Sequence, residues 1–214
     1  MERLSKFSEL SDKEGFIVVY PDAMERNWND GREVDSIASQ KNKVDDLGFI
    51  CALLDELAKE YSIDEKRIFS TGISNGAIFS HHLAMNCSTR IAAIATVVGG
   101  MEEKRAGTFK PEAWVSVFIL QGTEDPLVPF DGGTIARNRG TIISTQEAVK
   151  KWVAHNGGPE KPEESTLDDK DSEDGCRVKV STWKGKADVV LYTIEGGGHT
   201  WPGGAQYLSR RAIG

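Results

Sequence analysis

The sequence is short of several things, and each shortage closes off a class of function. No run approaches the ~18 consecutive apolar residues of a membrane span, so it contains no helical membrane segment, and no membrane partner is expected. The three cysteines, Cys51, Cys87 and Cys176, form no C-x-x-C pair and have no histidine-rich companion, which argues against a metal centre; no cofactor is expected either. Cys51 and Cys87 fall in helical apolar patterns, where a thiol reads as plain packing. Basic residues are the minority, 26 Lys and Arg against 33 Asp and Glu for a net charge of -7, and no basic stripe offsets the balance. A nucleic-acid backbone would be repelled. Met1 to Lys6 contains no apolar core of a secretion signal, so no export signal is visible.

What remains is an ordinary globular composition. The 214 residues suffice for one sizeable core and fall short of two comfortable domains, so 1–214 is read as a single domain. Glu2 to Lys13 reads as a short helix with Leu4, Phe7 and Leu10 on one face, ended at Gly15. The run Phe16 to Tyr20, bounded by Gly15 and Pro21, predicts a strand buried on both faces. Asp22 to Lys41 is a polar loop with a turn signal at Trp28-Asn29-Asp30-Gly31; Trp28 either borders a site or packs down beneath the turn. Val44 to Tyr61 has apolar residues at helical spacing. Ile91 to Val98 and Trp114 to Leu120 predict further strands, and Ser144 to Asn156 a helix stopped at Gly157. Glu160 to Gly175 reads as a solvated loop, and Arg177 to Trp183 with Ala187 to Ile194 as a hairpin about Lys184-Gly185-Lys186. Strand and helix alternate almost throughout, which predicts an α/β fold with a mainly parallel sheet and helices on both faces.

Chemistry concentrates at Gly72-Ile73-Ser74-Asn75-Gly76, between the short strand run Ile68 to Thr71 and an apolar helical stretch after Ala77. A G-x-S-x-G falls by chance in roughly one chain in six of this length, so the flanking strand and helix carry the inference. In that context it reads as a nucleophile elbow, a turn too crowded for Cβ atoms beside the serine. The elbow puts Ser74 at a helix start, where the Asn75 N–H can face a developing oxyanion. A serine hydroxyl needs a base held by a carboxylate. Among four histidines, His81 and His82 ride the helix away from Ser74, and His155 closes another helix. His199 alone lies in a Gly-rich loop past a strand end. Asp125, after the strand ending near Leu120, is the first choice of carboxylate, with Glu124 and Asp131 as alternatives.

Gly15 to Asp22, Thr71 to Gly76, Gly122 to Phe130 and Gly196 to Gly203 together resemble the polyhydroxybutyrate-depolymerase-like esterases, a family that includes feruloyl and acetylxylan esterases. The likeness runs from Gly15 to Gly204. It implies an α/β-hydrolase fold, a triad of Ser74, Asp125 and His199, Trp201 and Trp28 beside the substrate pocket, a small or polymer-linked ester as substrate, and secretion. Against that family the domain is expected to be truncated at both ends, lacking the N-terminal strands, with the loop that gives a second oxyanion donor, and a C-terminal helix. Gly158 stands where relatives often have a cysteine, so the family's disulfide to the Cys176 position is not expected. The lost strands would expose a sheet edge and favour a homo-oligomer. Two other classes stay open: a catalytically weak fragment that binds polysaccharide or polyester, and a peptidase or thioesterase on the same fold.

Overall fold

The computed structural model of the chain describes residues 1–213. Its N-terminus is two helices rather than one, α1 (Glu2–Ser5) and α2 (Phe7–Glu14), because Lys6 between them adopts a left-handed φ of 54°. After α3 (Ala38–Lys41) comes α4 (Asp46–Glu60), capped where the Asp45 carboxylate accepts the Gly48 N–H at 2.9 Å. Then follow β1 (Phe69–Ile73), α5 (Asn75–Asn86), β2 (Ala93–Val97), α6 (Glu103–Gly107) and β3 (Ser116–Gly122). A small ribbon, β4 (Gly133–Thr134) with β5 (Thr141–Ile142), leads to α7 (Thr145–His155), which opens on a capping box between Ser144 and Glu147. The chain continues through β6 (Glu163–Thr166), β7 (Arg177–Trp183) and β8 (Val189–Glu195) to α8 (Arg210–Ile213).

Six strands make one sheet in the order β1-β2-β3-β8-β7-β6. The first three pairings, β1 to β2, β2 to β3 and β3 to β8, are parallel; β7 and β6 are added antiparallel. The mainly parallel α/β architecture and the β7–β8 hairpin agree with the sequence. Two readings need correction. Phe16 to Tyr20 forms no strand, and Phe16, Ile17 and Val19 are exposed. The run lies outside the sheet, which ends at β1, and apolar character alone does not make a strand without a partner to pair with. Within the supposed loop Glu160 to Gly175, β6 pairs with β7 as the opposite edge; its all-exposed Glu163 and Glu164 suit an edge strand.

Burial on the sheet is uneven. On one face Ile94, Val117, Ile119, Val189 and Leu191 are buried in the main core with Phe79 and Leu83 of α5 and Trp152 of α7. On the other, strand alternation brings Phe69 of β1 and Phe118 of β3 to the surface at 62% and 38% exposure. The carboxyl ends of β1, β3 and β8 lie at one rim, which places three loops side by side.

Candidate active site

Ser74 closes β1 and caps α5 at φ 56° and ψ -120°, a backbone state costly for any residue with a Cβ. Packing holds it there. A Cβ on Gly72 would lie 2.4 Å from the Gly76 carbonyl carbon, and one on Gly99 would lie 2.6 Å from the Ser74 oxygen. Gly76 itself has open space where a Cβ would go, so the crowding expected on both sides of the serine comes from Gly72 and Gly99. The Ser74 hydroxyl makes no helix-capping bond. Asn75, as the first residue of α5, has a backbone N–H with no acceptor inside the helix.

His199 reaches the same rim from the loop after β8. It is buried at 2% exposure, and its Nδ1 lies 2.8 Å from Asp125 Oδ2. An ionised carboxylate only accepts, so the Nδ1 proton points at Asp125 and Nε2 is left as an acceptor. Asp125, also buried, is fixed by the N–H groups of Leu127 and Val128 at 2.8 and 2.9 Å and by the Gln121 amide at 3.3 Å. Glu124 and Asp131, the other two carboxylates weighed from sequence, are exposed. Two bonds brace the histidine backbone: Tyr207 Oη donates to the His199 oxygen at 2.8 Å, and the His199 N–H donates to Ile213. Ser74 and His199 line one cavity of ≈ 340 Å³ with Leu4, Ile73, Leu127 and Tyr207.

The two tryptophans are placed elsewhere. Trp28 stacks on Phe79, with ring centroids 4.8 Å apart, and packs against the core. Trp201 meets Phe7 edge-on at 5.9 Å. Neither lines the cavity; Leu4, read from the sequence only as part of a helix face, and Tyr207, unnoticed there, do. The remaining histidines are accounted for by packing. His81 Nδ1 accepts from Trp152 Nε1 at 3.2 Å, and burial pushes this imidazole down to about 4. Burial, with the Arg105 charge adding to it, does the same to His82, also to about 4. His155 Nε2 lies 3.0 Å from the Ala113 oxygen. Among the described residues no group of three or more metal-ligating side chains assembles.

The loop after Tyr20 does reach the elbow, through a buried polar cluster that the turn signal at Trp28 to Gly31 did not reveal. Asn75 Oδ1 accepts the Trp28 N–H at 2.7 Å, while its Nδ2 donates to Trp28 O at 3.1 Å and to Asp30 Oδ2 at 2.5 Å. Asp30 is wholly buried and also accepts from Arg32 Nη2 at 2.7 Å and Gln40 Nε2 at 2.9 Å. Next to it the Asn29 N–H donates to Asp46 at the start of α4. One loop thereby ties α4 to the peptide that follows Ser74.

Comparison with known proteins settles the family. The phospholipase/carboxylesterase family matches residues 18–168, well over half of the sequence. The chain belongs to that family. It is 28% identical to NocK of Nocardia uniformis subsp. tsuyamanensis, provisionally named an esterase, over 95% of this chain and 62% of NocK. It is 31% identical to the bifunctional acetylxylan esterase/xylanase XynS20E of Neocallimastix patriciarum over 56% of this chain and 16% of that protein. Feruloyl esterase C of Emericella nidulans is 29% identical over 47% of this chain and 35% of the relative. This carboxylesterase-family chain therefore spans less than two thirds of these relatives. Among solved structures, the acetyl xylan esterase from Aspergillus awamori superposes with a TM-score of 0.62 at 18% identity, covering 92% of this chain and 77% of the other. That likeness gives the family member its fold, the α/β-hydrolase fold.

Proposed function

We propose that the chain hydrolyses carboxylic esters through an acyl-enzyme, with Ser74 as nucleophile, His199 as base and acid, and Asp125 orienting the imidazole. The observation that carries this reading is a buried His199, held by Asp125 through Nδ1, in one cavity with a serine on a strained elbow. Ser74 Oγ attacks the ester carbonyl as its proton passes to His199 Nε2; the tetrahedral oxyanion faces the Asn75 N–H; the imidazolium returns the proton to the leaving alkoxide. Water repeats the sequence on the acyl-enzyme and frees the acid. With one donor from α5 facing the oxyanion, turnover should lie ~10²–10³ below that of a two-donor site.

The apolar lining by Leu4, Ile73 and Leu127 suits a short acyl chain. The names of the relatives suggest acetyl or feruloyl groups carried on a sugar polymer. A binding-only protein would display its aromatic rings in an open cleft, whereas Trp28 and Trp201 are packed against Phe79 and Phe7. An ester panel from acetate through longer acyl groups to feruloyl, with thioester and amide counterparts, tests the proposal on wild type and Ser74→Ala together. At least ~10⁴ of turnover should vanish with the hydroxyl. Equal rates in the two proteins would end this reading.

A further inference from the structure

Cys51 in α4 and Cys87 at the end of α5 have their sulfurs 3.5 Å apart and are both free thiols. We propose that this pair is a covalent modification site: a low-molecular-weight disulfide of the glutathione type converts it into a reversible Cys51–Cys87 disulfide that fastens α4 to the elbow helix. Both residues are half-buried, so a small oxidant can reach them. Bond formation needs the sulfurs to close by about 1.5 Å to the ~2.05 Å of a disulfide. Cys87 sits at the C-cap with φ -125° and ψ 34°, outside the regular helix.

The order of events follows from the thiols. Burial, with the Cys51 hydrogen bond second, pushes the Cys87 thiol up to about 12, which disfavours Cys87 as the opening nucleophile and leaves that step to Cys51. Cys51 loses its proton to water, attacks the disulfide reagent and expels one thiolate, which is protonated. Cys87 then loses its proton, attacks the Cys51 sulfur of the mixed disulfide and expels the second. The sum is two protein thiols oxidised and one reagent disulfide reduced to two thiols.

What the bond would hold is specific. The two residues are 36 apart, and the segment between them contains β1, Ser74 and α5. Helix α4 is the loosely seated partner, with only Asp46 and Ile50 buried in its 15 residues. A staple at Cys51 therefore adds an anchor where packing is sparse.

The test equilibrates the folded full-length chain, in a Cys176→Ser background, with oxidised glutathione, then alkylates and maps peptides without reduction. Expected are a cross-linked Cys51–Cys87 peptide, joint loss of both alkylation sites, and full recovery on reduction. The oxidised form should melt roughly 5–10 °C higher, with slower amide exchange in α4; Cys51→Ser should melt alike in both buffers. Full alkylation of both residues at equilibrium with the oxidant would overturn the proposal. So would a stable glutathione adduct on either residue without the cross-link.

Discussion

Asp30 is a carboxylate with no access to water, and its neighbours show what it supports: a guanidinium, two amides and, through Asn75, the peptide that would face an oxyanion. Removing one partner of a buried ion pair leaves the other charge unpaired, so Asp30→Asn should cost about 3–5 kcal/mol in urea unfolding by stranding Arg32. Because Asn75 loses its bond to Asp30 and keeps only those to Trp28, ester turnover by the folded fraction should fall with KM little changed. His81 makes the opposite bargain, buried as a neutral ring. The unfolded imidazole titrates near 6.5 and the folded one near about 4, so between those values the unfolded chain binds the extra proton. Stability should therefore drop as pH falls through that window, by on the order of 3 kcal/mol, and level off below it. His82 is lowered over the same range and adds to the decline, so a shallower fall of the unfolding midpoint in His81→Gln would give the share of this ring. At this scale the sequence was legible where chemistry restricts the choice. Four histidines and a triad order pointed to Ser74, His199 and Asp125, and the structure brings these three to one rim. Asp30 was not legible, because a short acidic turn reads the same whether it faces solvent or a buried arginine 107 residues from the carbonyl that completes its shell.

The helices read over Val44 to Tyr61 and Ser144 to Asn156 fall on α4 and α7, whose starts the structure caps with Asp45 and with Ser144 and Glu147, and Gly72 marked the elbow. The elbow is the most sharply determined of these. Since a Cβ at residue 72 would press on the Gly76 backbone rather than on a movable side chain, Gly72→Ala should cost about 1–3 kcal/mol and shift Ser74 from its cavity. Loss of fluorophosphonate labelling while circular dichroism stays native would display the shift; unaltered labelling would count against it. The misread elements share a cause. Phe16 to Tyr20 has the composition of a buried strand, but composition states only a preference for burial, and the run stays exposed and unpaired outside the sheet. Glu163 to Thr166 shows the converse, a polar stretch recruited as a strand because β7 has a free side to pair with.

Taken whole, the molecule presents a strand, β1, with one edge free and, beside it, a sheet face with Phe69 and Phe118 uncovered. A net charge of -7 works against association, yet backbone groups on an open edge invite a second copy. Light scattering should record a mass that grows with concentration, and Phe69→Lys should return it to that of one chain; a mass constant across a wide concentration range would count against self-association. The same arrangement has another outcome. Ser74 hangs from the outermost strand, which pairs with β2 alone, while Asp125 and His199 follow strands bordered on both sides. Fraying of that rim would cost far less than melting the body around Trp152. Gentle denaturant should thus silence the proposed ester hydrolysis while the tryptophan emission still looks native, and dilution should restore it at once.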